Sequence, residues 1–82
     1  MATKSQELEA ASRGEGCLGR SQADEPVFIL CARDKYAAST VRQWAERVAY
    51  KHGHSEKTDE ANELANRMDE WREAHGGGKV PD

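Results

Sequence analysis

Two cysteines, two prolines, one phenylalanine and no apolar run longer than six residues are what this chain of 82 has to offer. Each scarcity closes off a class. Six apolar residues fall far short of the ~20 that a membrane-spanning helix needs. The N-terminus lacks the apolar stretch of a secretory leader. A cytoplasmic protein with no membrane partner is therefore expected. Cys17 and Cys31 follow no zinc, redox or secreted-disulfide spacing. Cys31, inside the apolar run, reads as a small buried hydrophobe, and Cys17, among glycines, as a free exposed thiol; a reducing cytosol suits both.

Apolar material is scarce too: hydrophobic residues make up 37% and charged residues 33%. The foldable part spans roughly fifty residues, and a core that small contributes only about 3–5 kcal/mol unaided. Association with a second copy is the expected remedy.

Signs of catalysis are missing as well. No Ser or Cys sits in a strand-to-helix elbow, and no carboxylate pair has an apolar setting that would separate its two pKa values. His52-Gly53-His54, with His75, invites a metal reading, but no recognised ligand spacing supports it. Gly76-Gly77-Gly78-Lys79 follows a helix-like stretch instead of leading a strand into one, so it is no phosphate loop. No enzyme activity, metal or cofactor is expected.

What the chain does contain is one strand-like run and two helix-like stretches. Val27-Phe28-Ile29-Leu30-Cys31-Ala32 is apolar on both alternating faces, as in a strand covered on both sides. Pro26 suits the first position of such a strand, and Asp34 suits the turn after it. From Ala37 to His52, Ala37, Ala38, Val41, Trp44, Ala45, Val48 and Ala49 recur at helical spacing, and Gly53 supplies a stop. Ser55 is the expected N-cap of a second helix reaching His75, striped by Ala61, Leu64, Ala65, Met68 and Trp71. So short a connection implies an antiparallel helical hairpin. Residues 4–13 have helix-forming composition but only Leu8 as a large apolar anchor, so a frayed helix is expected there.

Charge divides between the two stretches. Residues 26–54 carry Arg33, Lys35, Arg42, Arg47 and Lys51 against Asp34 and Glu46. Residues 55–75 carry seven acids against Lys57, Arg67 and Arg72. Two solvated faces that attract each other are the plain reading; contacts from the five cations to a polyanion are the sharper one. The strand–helix–helix order also matches ribbon–helix–helix DNA-binding proteins, whose paired strands read bases with polar side chains. Here both strand faces are apolar and offer no such donors or acceptors, so nucleic acid would be met only through phosphates, with strong salt dependence.

The run Asp24-Glu25-Pro26-Val27-Phe28-Ile29-Leu30, continued by Ala32-Arg33-Asp34, Ala37, Val41 and Trp44-Ala45, resembles a group of small uncharacterised bacteriophage and prophage proteins. These share a "DEPVF-x-L" element, a nearby acid and a "V-x-x-WA" helix. The resemblance covers residues 24–50, about a third of the chain, and Cys31 and Tyr36 depart from the pattern. It implies a phage or prophage accessory protein acting in a bacterial host cell and carries no catalytic signature.

The expected fold is α+β: a short strand followed by an antiparallel helical hairpin (β-α-α), completed by strand pairing in a homodimer. Residues 1–24 form a flexible arm, 25–76 the domain and 77–82 a flexible tail. Val27, Phe28, Ile29, Leu30 and Cys31 make the dimer strand, over a core of Trp44, Val48, Leu64, Met68 and Trp71. The structural alternative is a monomeric hairpin with the apolar run folded across it. The expected function is a non-enzymatic protein-interaction module with a host or phage protein as partner. Nucleic-acid binding through the basic first helix is the alternative, and a purely structural subunit a third reading.

Overall fold

The computed structural model describes residues 3–77. It contains four helices: α1 (Lys4–Ser12), α2 (Gly16–Arg20), α3 (Ala37–His52) and α4 (Glu56–Ala74). Helices α3 and α4 pack against each other, as do α1 and α2, and no contact joins one pair to the other.

Each long helix has local reasons for its ends. Before α3, the Asp34 N–H donates to the Cys31 carbonyl at 3.0 Å, and one Asp34 carboxylate oxygen accepts from the Tyr36 N–H at 2.8 Å. This side chain-to-backbone turn is what a short acid at a loop-to-helix junction provides. At the other end, Gly53 adopts φ 83° and its N–H reaches the Ala49 carbonyl at 2.7 Å. A side chain at that φ would be strained, so the glycine permits the stop. Ser55 then caps α4: its Oγ accepts from the Thr58 N–H at 3.3 Å, while Thr58 Oγ1 accepts from the Ser55 N–H at 2.9 Å. Thr58 is wholly buried, so this reciprocal cap also closes the hairpin turn from inside.

The α3–α4 interface is built of small residues. Ala37, Ala38, Ala45, Ala61, Ala65 and Met68 are its buried apolar residues. This corrects the expected core: of Trp44, Val48, Leu64, Met68 and Trp71, only Met68 is buried. Val48 and Leu64 are half-buried, and Trp44 and Trp71 remain 45% and 47% exposed. The reason is angular. Successive residues turn by about 100° around a helix. Ala61, Ala65, Met68 and Arg72 run down the middle of the α4 face, which places Trp71 well to one side. Alanines along the seam bring the helices close, and the indoles stay on the flank.

The strand is the second correction. Among the described residues there is no strand or sheet, so the expected β-α-α fold is overturned and the chain shows no strand for a copy to pair with. Residues 25–31 have no regular secondary structure. A lone apolar run has no sheet to join, and the surface within its reach is the hairpin. Leu30 and Ala32 pack on the cluster of Ala37, Ala38, Ala65 and Met68. Val27, Phe28 and Ile29 do not, and are 52%, 86% and 69% exposed. Cys31, expected in the core, is exposed as well; Cys17 is also exposed and unpaired. The hairpin with the run folded across it describes Leu30 and Ala32, but not the three residues before them.

Within residues 1–24, α1 starts at a capping box made by Thr3 and Gln6, and it buries no residue. Helix α2 folds back on it through a close backbone approach: a Cβ at Gly19 would lie 2.8 Å from the Gly14 carbonyl carbon and 3.1 Å from the Ala11 Cα. Of the tail expected over 77–82, residues 78–82 lie outside the described residues. Among the described residues no helix is long and apolar enough to cross a membrane.

Candidate interaction surface

The feature that stands out is the segment between α2 and α3. On its N-terminal side Gln22 and Glu25 clasp each other. The Glu25 N–H donates to the Gln22 carbonyl, and the Gln22 N–H donates to Glu25 Oε1, both at 3.1 Å. On its C-terminal side Leu30 and Ala32 are seated on the hairpin, and the Cys31–Asp34 turn leads into α3. Between these two anchorages Val27, Phe28 and Ile29 stand out in solvent. Scattered exposed apolar residues are ordinary, whereas here three stand in succession, one of them the only phenylalanine of the chain.

The backbone there is equally unengaged. Among the described residues no hydrogen bond reaches an N–H or C=O group from Pro26 to Leu30. Pro26 holds its own φ near −65° and restrains Glu25 to β or polyproline conformations, which limits how far the chain can coil. Beyond the turn, Tyr36 is 51% exposed, with the Lys35 ammonium 5.2 Å from its ring centre.

The five cations do not gather into one site. Arg33, Lys35, Arg47 and Lys51 are exposed. At 3.6 residues per turn, Arg47 and Lys51 sit about three and four turns into α3, away from the pair at its start. Arg42 is committed elsewhere. Its Nη2 meets Asp69 Oδ2 at 2.6 Å and Asn66 Oδ1 at 2.9 Å, joining α3 to α4. The other Asp69 oxygen accepts from Arg72 Nη2 at 2.6 Å. The Arg42 hydrogen bond leads in holding the Asp69 carboxyl below the usual carboxylate range; Arg72 assists, and burial opposes them.

Beside this cluster a surface cavity of about 460 Å³ is lined by Arg42, Ala45, Glu46, Ala49, Tyr50, His54 and Asn62. Nothing in that lining pairs an activated nucleophile with a base. Among the described residues no three His, Cys, Asp or Glu side chains come together as a metal ion would need. His75 instead stacks on Trp71, ring centres 3.8 Å apart, with its Nδ1 2.7 Å from the Trp71 carbonyl oxygen.

The residues expected in a dimer strand thus divide. Leu30 faces the hairpin, while Val27, Phe28, Ile29 and Cys31 face solvent. Sequence reasoning read the run as covered on both sides because both faces are apolar. The opposing signal is the lack of a second strand in the sequence for the run to pair with. Compared with protein-family models, with curated proteins and with solved structures, the chain finds no match in any of the three.

Proposed function

We propose that this protein is a non-enzymatic interaction module, an accessory protein of phage or prophage type that binds a host or phage protein in the bacterial cytoplasm. The observation that carries this reading is the exposed Val27-Phe28-Ile29 segment, held between the Gln22–Glu25 clasp and the seated Leu30. Holding a short apolar segment by both ends lowers the entropy lost when a partner closes over it. Phe28, 86% exposed, is the natural anchor, since aromatic side chains bring large apolar area to interface centres. The resemblance of residues 24–50 to small phage and prophage proteins falls on the same segment.

The test is a paired measurement on Phe28→Ala together with Ile29→Ser. Co-purification of the full chain from a bacterial host should yield a specific protein partner, and the double variant should lose it. The melting temperature should stay within about 2 °C of wild type, because exposed side chains away from structural features change stability little. A variant that keeps its partner, or a wild-type chain that has none, contradicts the reading. Nucleic-acid binding is less well supported. The five cations that would contact phosphates do not gather into one site, and Arg42 is already engaged with Asp69 and Asn66.

A further inference from the structure

The chain leaves more of itself in solvent than its mass calls for. A folded monomer of 9.1 kDa exposes about 4,900 Å², whereas this one exposes 6578 Å². An interface of standard size removes about 800 Å² from each partner, well within that excess. The core falls short to match: Thr58 is the largest side chain that is fully buried, and the apolar residues packed as deeply are alanines. The hairpin has two flanks of different character. Arg42, Asn66 and Asp69 close one of them with polar contacts. Two residues along a helix turn by about 200°, so Trp44 belongs to the other flank. There Val41 and Leu64 pack beside the seam, Val48 is half-buried, and Trp44 stays 45% exposed. Charge lines this second flank: Arg47 and Lys51 along α3, both exposed, and Glu60 along α4.

We infer that this flank is covered by a second copy of the chain, in a two-fold dimer whose axis runs along the helices. Such a dimer stacks α3 of each copy on α4 of the other, antiparallel like the pair within one hairpin. Charge selects both the occupant and the axis. Residues 26–54 carry five cations against two acids, and residues 55–75 seven acids against three cations. Stacking α3 on α4 brings opposite signs together, whereas a two-fold axis across the helices would set α3 on α3 and α4 on α4, like on like. The heights agree as well. Arg42 sits level with Asn66 and Asp69, so in antiparallel helices Lys51 lies level with the stretch of α4 that holds Glu60. An axis along the helices keeps those heights, and Lys51 of each copy meets Glu60 of the other. Arg67 falls at the height of Gln43, which carries no charge. Trp44 and Val48 cover Leu64 of the second copy, and Leu30 and Ala32, seated toward the start of α3, bound the contact at that end. Val27, Phe28 and Ile29 take no part in it.

Sedimentation equilibrium of the full chain over a wide dilution series tests this. Wild type should pass from the 9.1 kDa monomer to twice that mass as concentration rises. Lys51→Glu alone, and Glu60→Lys alone, put like charges at both symmetric contacts and should each weaken the dimer about tenfold or more. Mixed in equal amounts, the two variants should recover the wild-type affinity, because each chain then meets its opposite at both contacts. Circular dichroism checks that each variant keeps the wild-type helix content. A wild-type chain that stays monomeric at every concentration overturns the dimer. A dimer that both substitutions leave intact, or that the mixture of variants fails to restore, overturns this flank and this axis.

Discussion

Arg42 of α3 and Asp69 of α4 meet at 2.6 Å across the hairpin, 27 residues apart in sequence. The pair is partly exposed, with side chains 40% and 33% accessible, so its worth is bounded by solvent screening. A double-mutant cycle of Arg42→Ala and Asp69→Asn, read by urea unfolding, should give a coupling of roughly 0.5–1 kcal/mol that shrinks with added salt.

The same carboxylate sets a pH dependence. The folded-state pKa of Asp69 is lowered, chiefly by its hydrogen bond to Arg42. A lowered pKa contributes stability that is present above the unfolded-state value, near 4, and is lost as pH falls through the folded-state value. Unfolding midpoints of wild type should therefore drop below about pH 4 more steeply than those of Asp69→Asn. Parallel curves for the two proteins would contradict this assignment.

The hairpin seam responds to size in an unusual order. Ala65 is fully buried, whereas Trp44 is 45% exposed. Ala65→Leu forces extra methylenes into the buried seam and should destabilise by about 1–3 kcal/mol. Trp44→Ala removes a far larger side chain but should cost less than Ala65→Leu. Thermal or urea unfolding of the two variants gives the comparison, and the reverse order would place Trp44 in the core after all.

Gly19 offers a separate check on the N-terminal helices. A methyl there would come within 2.8 Å of the Gly14 backbone, which cannot move aside as a flexible side chain would. Gly19→Ala should therefore separate α2 from α1 and lower helix content by circular dichroism. The unfolding midpoint of the α3–α4 hairpin should not change, since neither of its helices touches α1 or α2.

The hairpin was legible in the sequence because its signals are local. Gly53, Ser55 and the recurring alanines of both helices need no knowledge of the rest of the chain. The capping box at Ser55 even uses Thr58 in the place more often held by Glu or Gln, and the cap still forms. What sits in the seam was harder to read. Periodicity places Trp44 and Trp71 in the apolar stripe, but the distance between helix axes decides whether an indole fits, and alanines on both sides set that distance. The fate of residues 27–32 is harder still. An apolar, β-rich run has a strong local preference for strand, yet a strand exists only where a partner strand is available. With none among the described residues, tertiary packing of Leu30 and Ala32 prevails, and Val27, Phe28 and Ile29 are left on display. The exposure of the segment could have been suspected from the missing second strand; the clasp between Gln22 and Glu25 could not.

Amide hydrogen exchange over residues 27–30 of the free protein tests the central claim most directly, measured at a concentration where a dimer would be populated. Displayed without hydrogen-bond partners, the N–H groups of Val27, Phe28, Ile29 and Leu30 should exchange at the rate of an unstructured peptide, while those inside α3 and α4 are protected. Protection of residues 27–30 comparable to that of the hairpin would contradict the account, because it would mean that the segment is already covered in the free protein.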